Sequence, residues 1–535
     1  MRGDVTITGF GIRTAFGTGA DALRRGVFAG IPAFRPTTRF DTGPYRTPMA
    51  AAAPDGPDAV EDWALRHALA RCGAEALDMA GLGPGTEAAV LLGVAGDHTS
   101  VTRYWRSRPE EAASVSARGP GTDAGRTAER ARERTGGVVP NGVAGEGVAR
   151  NADVVSGRVA GEGVARNADV VSGRVAGEGA GRKADVVPHG VAGDGVARKS
   201  DMVPGDDAGR TGGVVPTGVA GDDVARNTDV VQNGAGGDDT GRNAGVVLTG
   251  GPGAEPGGVA ARLADAVPAR LAEVLAGHLG LTGPRLTFTN ACVASAAAII
   301  HACRLISSGR IDVAVCAGGY LVEEETFGKF DSGRALSRDG MVRPFSADRS
   351  GLLLGDGVAV VVLESAEHAR RRGARPLASV PGWGAATDAH HIAQPHPEGA
   401  GLAQATRQAL RLAGDPDGAA LGYVNAHGTG TRYNDGAETR GLRAALAERA
   451  GAIPVSSTKS TTGHLLEAAG IVEFVITMLA LTDGVLPPTA GFTRPDPECD
   501  LDYVPNRPRR ADPRRALTIN AAFGGANTAL VLERP

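Results

Sequence analysis

The sequence predicts an α/β protein interrupted by a long low-complexity insertion. Two blocks of ordinary globular composition, 1–109 and 259–535, alternate short apolar runs with segments of helical periodicity. That alternation is typical of sheets covered by helices. Glycine makes up 80 of the 535 residues, while aromatic residues are only 4%. This glycine excess is concentrated in residues 110–258, which contain no aromatic side chain.

The insertion is built on a 16-residue repeat, VAGEGVARNADVVSGR, which begins at Val143, begins again at Val159 and continues in degraded copies. Its recurring apolar positions hold only Val and Ala, which bury too little surface to offset the entropy lost on ordering. We therefore predict a flexible or disordered segment over 110–258. A short β-roll is the alternative that the repeat leaves open.

Charge and composition exclude several classes of function. Lys and Arg total 56 against 60 Asp and Glu, a net charge of −4, so we expect no nucleic-acid partner and no membrane partner. No apolar run reaches the length of a membrane span, and Asp4 precedes a strand-like start, so we expect no secretory signal. The five cysteines lack disulfide or metal-ligand spacing, which predicts reduced thiols and a cytoplasmic location.

In the first block, alternation over 5–8 predicts a strand that ends at Gly9-Phe10-Gly11. A GxG after a strand is found in dinucleotide-binding loops, but the third glycine is missing, so we interpret this one as a tight turn. Periodicity predicts a helix over 58–80, and the unbroken apolar run 88–94 predicts a buried strand.

The second block continues the same pattern. We predict helices over 263–279, 290–300, 402–413 and 465–482, and strands over 285–289, 312–317, 423–426, 517–520 and 528–532. The similar order in its two parts predicts an internally duplicated fold.

Cys292 is the candidate nucleophile because it follows a predicted strand and opens a predicted helix. The dipole and free N–H groups of a helix N-terminus stabilise a thiolate, so we expect a lowered pKa there. If Cys292 is considered alone, a buried structural cysteine is the alternative interpretation.

Two histidines favour the catalytic reading. His427 lies in the Gly/Thr-rich stretch Tyr423–Thr431, just past a predicted strand, and His464 follows Lys459 in a similar loop. In α/β folds, sites lie at such strand ends. A cysteine with two histidines suits acyl transfer through a thioester, followed by chemistry on an enolate. The cluster of His390, His391 and His396 has no Cys or carboxylate at ligand spacing, so we predict a solvated loop there and not a metal site.

These residues resemble those of the β-ketoacyl-[acyl-carrier-protein] synthases, closest to the type II elongating enzymes. The resemblance rests on three motifs, Asn290-Ala-Cys292-Val-Ala-Ser, Asn425-Ala-His427-Gly-Thr-Gly-Thr431 and Ser457-Thr-Lys459-Ser-Thr-Thr-Gly-His464, with Phe523-Gly-Gly-Ala-Asn527 in support. It covers both blocks and leaves the insertion unmatched. It implies a thiolase fold, two duplicated halves in a five-layer α-β-α-β-α arrangement. The first half (1–109 with 259–370) would carry the cysteine and the second (371–535) the histidines.

The resemblance also implies a role for each residue. Cys292 would take an acyl chain as a thioester, and His427 and His464 would bind the malonyl thioester carbonyl, promote loss of CO₂ and stabilise the enolate. The backbone N–H groups of Cys292 and Phe523 would form the oxyanion hole, and the Phe523 ring would gate access to the thiol.

A second group of residues would support this chemistry. Lys459 would hold the charge pattern around the histidines, paired with Glu438, and Asp435 would be a further supporting carboxylate. Thr429 and Thr431 would bind the phosphopantetheine arm. The implied partners are an acyl carrier protein and a second ketosynthase subunit, identical or related. Neither a metal nor another cofactor is implied.

The implied function is decarboxylative condensation with malonyl carrier protein in fatty-acid or polyketide elongation. Asn290, Ala393, Arg432-Tyr433 and Ala521-Ala522 depart from the usual family pattern and favour a specialised enzyme. A non-catalytic partner subunit, like the chain-length factor of polyketide systems, is the alternative, although such partners typically lack the cysteine. An initiating synthase is a third reading, disfavoured because it usually pairs the cysteine with one His and an Asn.

Overall fold

The computed structural model describes residues 4–53, 65–96 and 266–535, with the backbone of 155–156 and 171–172. The chain divides into two units, Met1–Val115 with Pro252–Pro535, and Ser116–Gly251. The first unit holds a large mixed sheet. Of the second unit, two short strands are described, Val155–Ser156 and Val171–Ser172. These two strands pair in parallel and lie one repeat apart in the sequence, as they would in a β-roll. The rest of the insertion, for which we predict disorder, lies outside the described residues.

Ten strands form the continuous path of the large sheet. They are β1 Val5–Thr14, β2 Ala89–Gly93, β3 Arg285–Phe288, β4 Val313–Tyr320, β5 Gly357–Ser365, β6 Ala378–Thr387, β7 Leu421–Asn425, β8 Val455–Ser456, β9 Arg515–Ala521 and β10 Ala526–Glu533. Their spatial order is β3-β2-β4-β5-β1-β6-β10-β9-β7-β8. The short strand Gly17–Thr18 also pairs with β1, and two further pairs lie apart, Arg35–Pro36 with Met49–Ala50 and Val485–Leu486 with Arg509–Arg510.

The two halves of the sheet repeat one topology. Within each set of five strands the spatial order is third, second, fourth, fifth, first. In each set the first, fifth and fourth strands pair antiparallel, and the fourth, second and third pair in parallel. The halves join where Thr6 and Ile7 of β1 pair with Ser379 and Ala378 of β6. The predicted internal duplication is confirmed.

Helices lie on both faces of each half. They are α1 Gly19–Arg25, α2 Leu65–Ala80, α3 Pro268–Leu279, α4 Ala294–Ser307, α5 Glu324–Ser332, α6 Ala366–Arg371, α7 Ala400–Leu412, α8 Arg432–Leu446, α9 Lys459–Thr462 and α10 Ala469–Asp483. Both α4 and α10 pack on strands of both halves and so form the middle layer. The outer layers are α2 with α3 and α7 with α8, which completes the five-layer order.

The strands show why the apolar runs are unbroken. In β5, Val358, Val360 and Val362 pack toward α2 and α3, whereas the residues between them pack toward α4 and α10. A strand buried on both faces has no polar side to alternate with.

Two glycines let the outer helices approach the first strand of each half. A Cβ on Gly9 would stand 2.1 Å from the Ala76 carbonyl oxygen, and a Cβ on Gly382 would stand 2.1 Å from the Ala409 oxygen. The predicted turn at Gly9–Gly11 is therefore wrong, because β1 runs through it to Thr14. The glycines are needed for helix packing and not for chain reversal.

The other predicted elements are present with shifted ends. Residues 58–64 and 263–265 of two predicted helices lie outside the described residues, and α3 begins at Pro268, whose fixed φ suits a first helical turn. Within the described ranges, no helix is long and apolar enough to cross a membrane.

Replacing Gly382 by Ala should destabilise the fold because its new methyl group would collide with the backbone of α7. We expect a loss of about 1–3 kcal/mol in the free energy of unfolding, measured by urea denaturation. The matched control is Gly277→Ala in α3, where an added Cβ has no neighbour within 4 Å. That variant should be unchanged or up to about 1 kcal/mol more stable. Equal effects of the two substitutions would contradict the close-approach explanation.

Candidate active site

Cys292 lies where β3 ends and the middle layer begins. It sits in a single 3₁₀ turn, Ala291–Val293, directly before α4. Ala291 adopts a left-handed backbone conformation with φ of 52°, an arrangement that costs about 1–3 kcal/mol and is found mainly where function requires it. The Cys292 side chain is buried, and it lines a cavity of about 220 Å³ together with Phe523.

The expected lowering of the Cys292 pKa is wrong. Burial raises the pKa of this thiol to about 12; Glu467 raises it further, and Lys459 opposes the rise. The reason is that the cysteine precedes α4 within a closed site, where loss of water penalises the thiolate more than nearby charge stabilises it. The thiol of Cys292 is therefore neutral near pH 7.

The two predicted histidines are brought together. His427 follows β7 and His464 follows α9, and their ring centroids lie 5.2 Å apart with the rings nearly perpendicular. Both side chains are buried, and in the described part of the chain neither Nδ1 atom has a hydrogen-bond partner. Burial and the charge of Lys459 hold both pKa values well below the usual range, so both imidazoles are neutral.

Lys459 forms a buried ion pair, but not with the predicted partner. Its Nζ lies 2.5 Å from Glu473 Oε1 in α10, and Glu473 Oε2 accepts a hydrogen bond of 2.6 Å from Asn520 Nδ2. The predicted pairing with Glu438 is wrong because both oxygens of Glu438 are used elsewhere. They accept the backbone N–H groups of His427 at 2.6 Å and Gly428 at 2.7 Å.

Glu438 thus holds the loop of His427 through two backbone N–H groups, and Asp435 holds the neighbouring segment at Phe345. Burial raises the pKa of Glu438 to about 8. Asp435 accepts the Phe345 N–H at 2.8 Å and lies 3.9 Å from the Arg349 guanidinium. Burial also raises the pKa of Asp435.

Phe523 stands at the entrance side of the cavity. Its ring is half exposed and stacks on Phe330, with centroids 5.8 Å apart. Among the described residues, its backbone N–H makes no backbone hydrogen bond. Thr429 and Thr431 lie together beyond His427, with their hydroxyl oxygens 2.8 Å apart.

The charge of Lys459 links the predicted residues into one site. It lowers the pKa of Cys292, His427 and His464, so all three lie within its electrostatic reach. The cavity in front of Cys292 is lined by Phe523 but not by the histidines.

Two carboxylates of the site were not singled out from the sequence. Glu473 is the one charge in the apolar helix α10 before Asp483 at its last position, and a buried charge in an apolar helix is a signal for a paired or functional group. Glu467 lines the Cys292 cavity from the turn Leu466–Ala468.

The described residues contain no group of three His, Cys, Asp or Glu side chains that could hold a metal ion. His390 and His396 contact each other edge to face at 5.2 Å in an exposed loop. That arrangement agrees with the prediction of a solvated loop.

Two protein-family models match this chain, and they identify the family to which it belongs. The family model described as "Beta-ketoacyl synthase, N-terminal domain" matches residues 213–369, and "Beta-ketoacyl synthase, C-terminal domain" matches 377–493. The chain belongs to the β-ketoacyl synthase family. Cys292 lies in the first matched segment, and His427, Lys459 and His464 lie in the second.

Two curated relatives illustrate the sequence similarity of this chain to other members of the family. It is 41% identical over 278 residues to the tetracenomycin polyketide synthase ketoacyl synthase alpha subunit of Streptomyces glaucescens. It is 40% identical over 280 residues to 3-oxoacyl-[acyl-carrier-protein] synthase 2 of Vibrio harveyi. Each alignment spans 50% of this chain, and they span 64% and 67% of the two relatives.

The fold is that of solved ketosynthases. The ishigamide ketosynthase/chain length factor superposes with a TM-score of 0.66 at 24% identity, covering 100% of both chains. This likeness shows the thiolase fold that the sequence resemblance implied.

Lys459→Met should destabilise the protein by about 3–5 kcal/mol because it leaves the Glu473 carboxylate buried without its counter-charge. The double variant Lys459→Met/Glu473→Gln removes both charges and should recover most of that loss. Urea unfolding of the wild type, the single variant and the double variant gives the three free energies of unfolding to compare. If the double variant is as unstable as the single one, the ion pair is not the cause.

Alkylation of Cys292 by iodoacetamide should accelerate with pH. With a pKa near 12, the thiolate fraction rises roughly tenfold per pH unit, so the rate should show no plateau between pH 7 and 10. Mass spectrometry of the Cys292 peptide follows the reaction, with Cys292→Ala as the blank. A plateau near pH 7 would instead indicate the lowered pKa that the helix N-terminus alone predicts.

Proposed function

We propose that this chain is a β-ketoacyl-[acyl-carrier-protein] synthase that elongates fatty-acid or polyketide chains by decarboxylative condensation. The observation that carries the proposal is the pair of buried, neutral imidazoles of His427 and His464, whose Nδ1 atoms have no hydrogen-bond partner among the described residues, within reach of the Lys459 charge that also acts on Cys292. Buried polar groups are normally hydrogen-bonded, so a pair of imidazoles that the described residues leave without partners is suited to a substrate.

The first step is acyl transfer. The Cys292 sulfur attacks the carbonyl carbon of an acyl thioester, a new S–C bond forms, and the bond to the carrier sulfur breaks. The proton of the neutral Cys292 thiol passes to the departing carrier thiol, so no external base is consumed. The backbone N–H groups of Cys292 and Phe523 stabilise the oxyanion of the tetrahedral intermediate.

The second step is condensation. A malonyl thioester places its carbonyl oxygen against His427 and His464, whose neutral rings can donate hydrogen bonds as the enolate develops. Loss of CO₂ leaves that enolate, and its carbon attacks the acyl–Cys292 carbonyl. A C–C bond forms, the S–C bond breaks, and one proton taken up from solvent returns Cys292 to the thiol. Preorganised donors of this kind contribute about 3 kcal/mol each.

Lys459 and Glu473 set the charge of the site in this scheme. The ammonium disfavours protonation of both rings and keeps them as neutral donors. Its ion pair with Glu473, itself hydrogen-bonded to Asn520, holds the ammonium in a buried position.

The partners and conditions follow from the same chemistry. We propose that an acyl carrier protein delivers both substrates, with Thr429 and Thr431 binding its phosphopantetheine arm. A second ketosynthase subunit, identical or related, completes a dimer; one structural neighbour is described as a ketosynthase/chain length factor. Acyl transfer and loss of CO₂ involve no net oxidation, so the proposed reaction needs no redox cofactor, and none of its proposed steps uses a metal. The five free cysteines favour a reducing compartment such as the cytoplasm.

The test is acylation followed by intact-protein mass spectrometry. Wild-type protein incubated with an acyl-pantetheine thioester should gain one acyl mass, and Cys292→Ala should gain none. Cys72→Ala, which removes another buried thiol outside the site, is the matched control and should be acylated like the wild type. Absence of any adduct in the wild type would favour the non-catalytic partner subunit.

His427→Ala and His464→Ala separate the two steps. Each should lower the rate of malonyl-thioester decarboxylation by roughly 10²–10³-fold while Cys292 is still acylated. Release of CO₂ is measured beside adduct formation on the same samples. Unchanged decarboxylation in both variants would exclude the proposed role of the imidazole pair.

A further inference from the structure

Two aromatic rings border the cavity in front of Cys292. Phe330 lies in α5 of the first half, Phe523 lies in the turn between β9 and β10 of the second half, and both line this cavity. Their rings are stacked, with centroids 5.8 Å apart and planes inclined by 22°. The stack therefore joins the two halves of the fold beside the nucleophile, and the proposed reaction gives Phe330 no role.

The two rings differ in how firmly they are held. Phe330 is half-buried and packs against the main hydrophobic core. Three residues earlier in α5, Phe327 is fully buried, and its ring contacts those of Phe40 and Tyr45, each at 5.3 Å. Phe523, in contrast, is half exposed. The helix thus presents Phe330 as a fixed surface, and the Phe523 ring rests on it.

The turn that carries Phe523 is anchored through the two glycines that follow the ring. The Gly524 N–H donates to the Ile392 carbonyl oxygen at 2.7 Å, and the Gly525 carbonyl oxygen accepts the Asp388 N–H at 2.8 Å. Phe523 itself takes part in no backbone–backbone hydrogen bond in the described part of the chain. Gly524 has a φ of 83°, and a Cβ there would meet nothing within 4 Å, so the backbone can change conformation at this residue at little steric cost. The position of the Phe523 ring therefore depends on what the ring itself contacts.

The stack with Phe330 supplies that contact. An offset pair of rings with centroids about 4.5–7 Å apart is attractive beyond the apolar area that it buries, enough to shift an equilibrium between stacked and unstacked rings by about two- to tenfold. A Phe523 ring turned away from Phe330 would give up this attraction and would expose more apolar surface to water. The stacked position is therefore the favoured one.

We propose that Phe330 is a positioning residue that holds the Phe523 ring at the cavity, so that opening of the stack controls access to the Cys292 thiol. The sequence resemblance implied a gating ring at Phe523, and the structure adds the surface on which that ring closes, supplied by the opposite half of the chain. Because the role of Phe523 belongs to the proposed function, the inference rests on it in that respect. Its test measures thiol access alone and requires no turnover, carrier protein or acyl donor.

The test is alkylation of Cys292 at one fixed alkaline pH by two reagents that share a reacting group, iodoacetamide and the bulkier N-phenyliodoacetamide. Mass spectrometry of the Cys292 peptide gives each rate, with Cys292→Ala as the blank. Phe330→Leu keeps an apolar side chain but removes the ring, so we expect iodoacetamide to react about two- to tenfold faster and the bulkier reagent to gain more. Phe330→Tyr keeps the ring and should retain the wild-type rates.

Phe523→Leu breaks the same stack from its exposed side, away from the core, and should also raise both rates. Because Phe330 is proposed to act through Phe523, the double variant Phe330→Leu/Phe523→Leu should react no faster than Phe523→Leu alone. Thr326→Ala is the matched control. It shortens another α5 side chain on the cavity wall, one whose hydroxyl is bonded to Glu323 at 2.6 Å, and it should leave both rates unchanged.

Rates that neither Phe330→Leu nor Phe523→Leu raises would overturn the proposal. Increases that multiply in the double variant would also overturn it, because Phe330 would then act on the cavity directly and not through Phe523. So would an increase in Thr326→Ala as large as that in Phe330→Leu. If the acyl-adduct experiment fails while the expected alkylation results hold, the proposed function is overturned and the aromatic stack still controls access to the thiol.

Discussion

The buried ion pair between Lys459 and Glu473 is the interaction on which the site depends. It joins the short helix α9 to the middle-layer helix α10, and the hydrogen bond from Asn520 extends it to β9. A charge in this position is tolerated only because it is paired. Once held there, the ammonium lowers the pKa of the thiol and of both imidazoles, which adds to the effect of burial on the imidazoles and opposes it on the thiol.

The duplication explains how these groups come to lie together. Cys292 follows the third strand of the first half, and Lys459 and His464 follow the third strand of the second, so the topology places them at equivalent positions. The helices after them, α4 and α10, are likewise equivalent and share the middle layer. His427 follows the neighbouring parallel strand, at the edge where α/β sheets place their sites.

Much of this could be predicted from the sequence because it is local. Apolar runs and periodicity indicate the strands and helices, and the motifs around Cys292, His427 and His464 indicate the site. What could not be predicted depends on distant parts of the chain. Nothing near Gly9 shows that a helix backbone lies against it, and nothing near Cys292 shows that burial outweighs the helix dipole. That Lys459 pairs with Glu473 and not with Glu438 could not be predicted either, because the pairing depends on how α8 and α10 face the site.

The middle layer also affects how the protein acquires its activity. Because α4 and α10 each pack on strands of both halves, neither half has a complete core without the other. The thiol comes from one half and the imidazoles from the other, so a chain in which only one half has folded holds an incomplete reaction centre. Recovery of the proposed condensing activity during refolding would therefore require the two halves to dock, so turnover would return only after the whole molecule has assembled.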